Sequence, residues 1–218
     1  MNSLFLRMLA CALSLVNVGN PLAQTPHTHQ HSFSGADGWA KVFDDPERDR
    51  WQKPHEVIRA LNLASSSVVA DIGAGTGYFS ARLAHMMPGG RVYAVDLEPD
   101  MVKYLGERAK RDGLKNLVAV QAKPDSPALP DKVDRILLVD TYHHISDRVT
   151  YFKHLRDALK PDGQVAIIDF TADSPVGPPK SVRISARKVA EEMTLAGYAQ
   201  VAQHAFLPYQ FFLVFEPR

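Results

Sequence analysis

The chain has 218 residues, with 25 lysines and arginines against 24 aspartates and glutamates and a formal net charge of +1. This length suits a single domain with a sizeable core. Because positive and negative charges nearly balance, electrostatic attraction gives no reason to expect nucleic acid or an anionic membrane surface as a partner. A neutral or modestly charged small molecule is the simpler expectation.

The first 23 residues have the pattern of a secretory signal peptide. An apolar core over residues 8–16 follows Arg7 and precedes a stretch of small residues. This core is too short to span a membrane as a mature helix. We therefore expect cleavage after Ala23, export to the periplasm and no stable membrane association afterwards. The single cysteine, Cys11, lies in this segment, so the mature chain is expected to have no disulfide.

Residues 24–38 are polar and contain glycine and proline, which predicts a flexible arm. Within it, His27, His29 and His31 alternate and would lie on one side of an extended chain. They either bind a transition metal or form a solvated tail. Because no fixed geometry or carboxylate partner accompanies them, no metal site is predicted.

From Ser67 onward, short apolar strands alternate with amphipathic helices. Strands are predicted at 67–72, 91–96, 117–121, 134–139 and 164–169, and helices at 77–87, 99–112, 147–160 and 184–196. A further helix is predicted before this series, at 55–63. Such alternation predicts right-handed βαβ units, a parallel sheet and an α/β fold with helices on both faces. Residues 199–205 and 208–215 predict two further strands.

The most informative stretch is the end of the first strand, where Asp71 precedes a glycine turn (Gly73, Ala74, Gly75, Thr76, Gly77). Glycines at alternate positions predict a tight bend that a ligand approaches closely, and the following helix N-terminus suits an anion. Asp96 closes the next strand at the usual distance for binding ribose hydroxyls. The unit predicts a nucleoside cofactor. No G-K-[ST] follows, which excludes a P-loop.

The pattern from Asp71 to Gly77 is D-x-G-x-G-x-G rather than the G-x-G-x-x-G of dinucleotide folds, which disfavours a nicotinamide-dependent oxidoreductase. With Asp96, it resembles the class I S-adenosylmethionine-dependent methyltransferases over residues 55–216. The resemblance implies S-adenosylmethionine as cofactor and a methyltransferase domain over 55–218. Its fold would be a Rossmann-like, doubly wound, seven-stranded, mostly parallel sheet with a C-terminal antiparallel hairpin. Because this cofactor is made in the cytoplasm, a cytoplasmic location stays open beside export.

The resemblance also assigns cofactor contacts at the carboxyl ends of the strands. Asp71 and the glycine turn would hold the methionine part. Asp96 would accept hydrogen bonds from both ribose hydroxyls, and Leu97 would offer an apolar surface to adenine. Asp140, after the fourth strand, would hold the methionine amino group through its side chain or its carbonyl.

The loop after the third strand contains Asp125 and Ser126, followed by Leu129-Pro130. The matching loop of the family reads D-A-x-x-L-P, and its acid binds the adenine amino group. Asp125, with Ser126 beside it, therefore resembles an adenine contact. The alternative for Asp125 is turn chemistry, because Asp is common after Pro in turns.

Residues 140–145 read D-T-Y-H-H-I and resemble the family's segment below the sulfonium. His143 is a candidate general base, because imidazole titrates near neutrality. The competing interpretation is that the histidines cap the next helix and pack structurally. Beyond the fifth strand, Arg183 either binds a substrate carboxylate or is a solvated charge at the start of the last helix.

The N-terminal aromatic residues Trp39, Phe43 and Trp51 have two interpretations. They belong either to a lid segment within residues 24–54, as the resemblance implies, or to a cover over one face of the sheet. The whole pattern predicts an enzyme that methylates a small molecule by in-line transfer. The alternative is a non-catalytic binder, a sensor or scavenger of S-adenosylmethionine or S-adenosylhomocysteine. The oligomeric state is not predicted.

Overall fold

A computed structural model describes residues 35–218. The predicted signal peptide and the three arm histidines lie outside the described residues. Within residues 35–218, no helix is both long and apolar enough to cross a lipid bilayer.

The described residues form an alternating series of helices and strands. The helices are α1 (Ala36–Phe43), α2 (Arg48–Gln52), α3 (Pro54–Ala60), α4 (Tyr78–Met86), α5 (Pro99–Arg111), α6 (Arg148–Leu155) and α7 (Ala186–Leu195). The strands are β1 (Val68–Ile72), β2 (Arg91–Asp96), β3 (Leu117–Gln121), β4 (Val133–Val139), β5 (Leu159–Phe170), β6 (Tyr198–His204) and β7 (Gln210–Pro217).

The strands form one seven-stranded sheet in the order β3-β2-β1-β4-β5-β7-β6. The pairs from β3 across to β5 are parallel, whereas β7 runs antiparallel to both β5 and β6. The predicted Rossmann-like sheet with its C-terminal hairpin is confirmed. Successive strands are added to one side of β1 up to β3 and to its other side from β4 onward, so the strand order reverses between β1 and β4. Ligands bind at such a switch point in open α/β sheets.

Both faces of the sheet are covered. Leu137 of β4 packs into a core shared with α3, α4 and α5, whereas its neighbour Leu138 packs into a second core shared with α6 and α7. Successive side chains of a strand point to opposite faces, so a strand buried on both sides must be apolar at every position. This explains why the central strands appear in the sequence as continuous apolar runs.

Two predicted boundaries differ from the structure. The helix predicted over 147–160 ends as an α-helix at Leu155, because Leu159 already pairs with Val133 as the first residue of β5. The arm predicted over 24–38 extends too far, since α1 begins at Ala36. In both places, contacts with distant segments decide the local structure.

We expect Gly106→Ala to stabilise the protein by about 0.5–1 kcal/mol. Gly106 lies inside α5, and an added Cβ would meet nothing within 4 Å. Alanine would therefore lower the entropy of the unfolded chain without a steric cost. Urea unfolding with an unchanged m-value measures the gain. As a contrast, Gly77→Ala should destabilise, because Gly77 has a φ of +90° and its Cβ would lie 2.8 Å from Leu105.

Candidate active site

The glycine turn is fixed to the neighbouring strand and to the loop after β4. The N–H groups of Gly73 and Ala74 both donate to the carbonyl of Val95, at 2.8 and 3.0 Å. Gly73 has a φ of +75°, and a Cβ there would lie 2.3 Å from Oγ1 of Thr141. Only glycine fits this position, so the backbone at the end of β1 comes directly against the loop after β4.

Asp71 contacts the helix that follows the turn. Its carboxylate is buried and accepts a hydrogen bond from the Ser80 hydroxyl at 2.5 Å. Burial raises the pKa of Asp71 to about 6, although the bond from Ser80 opposes this rise. The contact ties α4 to β1 and so positions the glycine turn. Asp71 as a contact of the methionine part stays a prediction.

Asp96 closes β2 and faces the same turn. One carboxylate oxygen accepts the N–H of Gly75 at 2.8 Å, and the other accepts the N–H of Glu98 at 3.0 Å. Each oxygen thus keeps capacity for another donor, which fits the two hydroxyls of a ribose. Burial raises the pKa of Asp96, and these backbone bonds oppose the rise. Leu97, next in the chain, is exposed and offers the predicted apolar surface.

Asp125 and Ser126 lie in the loop after β3, at the outer side of the same sheet edge. Asp125 is exposed. The loop is closed by reciprocal backbone bonds between Lys123 and Ser126, and the Ser126 hydroxyl accepts the N–H of Ala128 at 3.1 Å. These contacts are turn chemistry, and they do not join the loop to Asp71, Asp96 or Asp140. The adenine contact stays a prediction.

Asp140 belongs to a closed hydrogen-bonded ring of four side chains, here called the polar ring. Arg48 donates to Asp140 at 3.3 Å and to Gln52 at 3.0 Å. Gln52 donates to Gln210 at 2.5 Å, and Gln210 donates to the other oxygen of Asp140. The polar ring holds Asp140 at a φ of +57°, a conformation that is rare for non-glycine residues. It joins α2, β7 and the loop after β4.

Burial raises the pKa of Asp140 to about 7. The Arg48 guanidinium opposes the rise, and the neighbouring carboxylate of Asp169 adds to it. Asp140 is therefore partly protonated near neutral pH, and it holds protons in the folded state that the unfolded chain has already released.

We expect Asp140→Asn to flatten the dependence of stability on pH. Between the ordinary value of 3.8 and the folded value of about 7, the folded state binds more protons than the unfolded state. The free energy of unfolding therefore falls as pH rises through this window. Asparagine removes that part of the fall and leaves the part due to Asp71. Urea titrations from pH 4.5 to 8 measure the slope, and Asp45→Asn, at an exposed site, is the control.

Residues 36–52, here called the N-terminal strap, lie over the glycine turn. The ring of Phe43 is 3.2 Å from where a Cβ of Gly75 would be. Arg108 of α5 donates to Asp44 at 2.9 Å and to the carbonyl of Thr76 at 2.9 Å. The hydroxyl of Tyr78 donates to Asp49. The strap therefore contacts the turn through both apolar and charged groups, and its action as a lid stays a prediction.

His143 forms a buried pair with Asp169, the last but one residue of β5. The His143 Nδ1 atom lies 2.9 and 3.0 Å from the two carboxylate oxygens of Asp169. The side chains are 5% and 1% exposed, so water has little access to the pair. The part of the predicted alternative in which the histidines cap the next helix is wrong, whereas structural packing of His143 stays open beside the catalytic role. Asp147 caps α6 and accepts the N–H of Thr150 at 3.3 Å.

The predicted role of Arg183 as a solvated charge is wrong. Its guanidinium donates to the carbonyls of five residues of the proline-rich loop: Pro178, Thr171, Ala172, Ser174 and Val176. Because these bonds engage all three nitrogens of the guanidinium, Arg183 does not stand free in solvent, and binding of a substrate carboxylate stays a prediction. It fixes the shape of the loop between β5 and α7.

Four residues of the site were not predicted, namely Arg48, Gln52, Asp169 and Gln210. Asp169 had a usable signal, because it ends a strand at the same edge as Asp71, Asp96 and Asp140. The polar ring had none, since its contacts join residues as far as 158 positions apart. Within residues 35–218, no group of three His, Cys, Asp or Glu residues is placed to hold a metal ion.

Comparison with known proteins finds methyltransferases similar to this chain. A family model described as a methyltransferase domain matches residues 69–163. The crystal structure of a SAM dependent methyltransferase from Aquifex aeolicus has a TM-score of 0.77 and 29% identity, and the match covers 82% of this chain and 96% of that chain. Residues 35–218 are thus similar in fold, and over residues 69–163 also in sequence, to S-adenosylmethionine-dependent methyltransferases. S-adenosylmethionine is the cofactor of this family.

Curated relatives of this chain differ in the acceptors that their names state. A protein-L-isoaspartate O-methyltransferase of Aeropyrum pernix is 32% identical over 127 residues, which are 56% of this chain and 44% of that protein. An erythromycin 3''-O-methyltransferase of Saccharopolyspora erythraea is 26% identical over 133 residues, 58% of this chain and 44% of that protein. The chain spans less than half the length of these two relatives.

Proposed function

We propose that this protein is an enzyme that transfers a methyl group from S-adenosylmethionine to a small molecule. The observation that carries the proposal is the carboxylate of Asp96, which has one backbone donor on each oxygen and stands beside the glycine turn. Asp96 would bind the ribose, Leu97 would contact the adenine, and the turn with Asp140 would hold the methionine part.

The bound cofactor supplies an electrophilic methyl group on a positive sulfur. In-line transfer depends mainly on alignment of the two reactants. Holding them in the correct relative orientation lowers the activation barrier, and the protein itself forms no covalent bond. The N-terminal strap would exclude water from the turn. The second part of the site is His143, which would take a proton from an acceptor that must lose one.

The pair of His143 and Asp169 favours an enzyme over the alternative, a non-catalytic sensor or scavenger. Such a binder needs the cofactor residues but gives no role to a buried, carboxylate-bound imidazole at the carboxyl ends of β4 and β5. The two functions share their cofactor contacts, so only product formation separates them.

The test has two stages. Calorimetry with S-adenosylmethionine and S-adenosylhomocysteine on residues 24–218 should give saturable binding of both. Radiolabelled S-adenosylmethionine is then incubated with fractionated small-molecule extracts, and label should enter an organic product. Binding without labelled product would favour the sensor or scavenger, whereas no binding of either nucleoside would overturn both functions.

A further inference from the structure

We propose that the acceptor is a neutral aromatic molecule with a hydroxyl group, and that Asp169 positions His143 to remove the proton of that hydroxyl. The inference rests on the function proposed above and names its substrate class. Three features carry it: the geometry of His143 and Asp169, the charges around the pair, and an aromatic cluster that includes the residue after Asp169.

Asp169 fixes the orientation of the His143 ring. Besides the contacts to Nδ1, its carboxylate accepts the backbone N–H of His143 at 3.3 Å and the N–H of Phe170 at 2.8 Å. A carboxylate accepts and does not donate, so the neutral imidazole must carry its proton on Nδ1. The Nε2 atom is then the acceptor, which is the state that a general base requires. Asp169 is a positioning residue, because it acts through His143.

A base of this kind indicates a hydroxyl rather than a carboxylate as the acceptor. Carboxylates with a pKa near 4 are already anions at neutral pH and need no base, whereas a phenol with a pKa near 10 does. As the new C–O bond forms, the C–S bond breaks and the sulfur keeps its electron pair. The hydroxyl proton moves to Nε2, and the resulting imidazolium lies against the carboxylate of Asp169 until product release lets solvent reach Nε2 and take the proton.

The charges around His143 disfavour an anionic acceptor. The carboxylates that face it are Asp169 and Asp140, and the ring of His144 lies 4.1 Å away between centroids. The nearby guanidinium of Arg48 already donates to Asp140, to Gln52 and to the carbonyl of Phe43. With that cation engaged, a second anion would enter a site that already holds two acidic groups. A neutral molecule avoids this repulsion.

An aromatic cluster is formed by residues adjacent in sequence to Asp169, Gln52 and Gln210. The ring of Trp51 lies 5.9 Å from that of Phe170 and 6.3 Å from that of Tyr209, in tilted arrangements. Phe170 follows Asp169 directly, while Trp51 lies between Arg48 and Gln52 in α2, and Tyr209 precedes Gln210. Trp51 and Tyr209 are partly exposed, so part of their surface is open to a ligand. Flat aromatic molecules gain offset or edge contacts on such rings.

The first test needs no acceptor. Nitrogen-15 NMR of the protein bound to S-adenosylhomocysteine, at pH 8, should show His143 with its proton on Nδ1 and a bare Nε2. In Asp169→Asn, which keeps the shape but removes the charge, the proportion of this tautomer should fall. A wild-type ring with its proton on Nε2, or an unchanged tautomer in the variant, would overturn the positioning role.

The second test uses catechol and benzoate as probes, with radiolabelled S-adenosylmethionine. Both carry one aromatic ring, but catechol offers hydroxyls and benzoate offers a carboxylate. We expect methyl transfer to catechol only. His143→Gln and Asp169→Asn should each lower kcat by about 100-fold or more, the lower limit for loss of a general base, with S-adenosylhomocysteine affinity within about threefold. Asp173→Asn, a matched change at an exposed position of the adjoining loop, should leave kcat unchanged.

The outcomes separate the acceptor class from the function. If benzoate is methylated as fast as catechol or faster, or if neither probe is methylated while S-adenosylhomocysteine binds, the acceptor assignment is wrong and the proposed function can stand. If S-adenosylhomocysteine does not bind, the proposed function fails first. Equal losses of kcat and cofactor affinity in Asp169→Asn would show a structural role alone.

Discussion

Replacement of Asp96 by alanine should weaken the binding of S-adenosylmethionine by about 1.5–3 kcal/mol, or roughly 10- to 150-fold in Kd. The wild-type carboxylate has one backbone donor on each oxygen and is half-buried. Hydrogen bonds to a charged, desolvated acceptor are stronger than those between neutral groups. Alanine removes both of the oxygens that would accept the ribose hydroxyls.

The same change also frees the N–H groups of Gly75 and Glu98, so the loss has two sources. Asp96→Asn keeps one acceptor oxygen and a similar shape, and its Kd should lie between those of wild type and alanine. Asp162→Ala, at an exposed position near the start of β5, is the control and should leave Kd unchanged. Calorimetry measures Kd and thermal unfolding checks the fold. Wild-type affinity in Asp96→Ala would mean that the ribose contact is misassigned.

The sheet could be predicted because its strands carry their own signal. Strands buried on both faces must be apolar throughout, and the intervening glycine and proline breaks mark their ends. The start of β5 could not be predicted, because Leu159 continues an apparently helical segment and is fixed by pairing with Val133. Val133 lies 26 residues earlier in the chain, so no local sequence pattern can indicate this pairing.

Some residues of the candidate site could likewise be predicted from the sequence, and others could not. Asp71, Asp96 and Asp140 each follow an apolar strand, so the rule that ligands bind beyond the carboxyl ends was enough to select them. Arg48 and Gln210 have no such position. Arg48 lies in the short helix α2 before the sheet, and Gln210 is the first residue of β7. Both side chains bind Asp140 although they are far from it in the sequence. Their contribution follows from tertiary packing alone.

Replacement of Arg48 by alanine should destabilise the protein by about 2–3 kcal/mol at pH 8. Removal of one partner from a fully buried ion pair costs about 3–5 kcal/mol. The loss here should be smaller, because the Asp140 side chain is 21% exposed. Alanine also removes a cation that lies 4.3 Å from the ring centroid of Tyr78. It further removes two hydrogen bonds of the polar ring, those from Arg48 to Gln52 and to Asp140.

The dependence of this loss on pH identifies its cause. The folded pKa of Asp140 is about 7, so at pH 5.5 the residue is mostly protonated and Arg48 faces a neutral group. We therefore expect the destabilisation in Arg48→Ala to be clearly larger at pH 8 than at pH 5.5, as measured by urea unfolding at both pH values. Arg50→Ala is the matched control in the same helix. Its side chain is 79% exposed and pairs with Glu47, so its loss should stay below about 0.5 kcal/mol at either pH. Equal losses for Arg48→Ala at the two pH values would assign its contribution to packing and to the neutral hydrogen bonds of the polar ring.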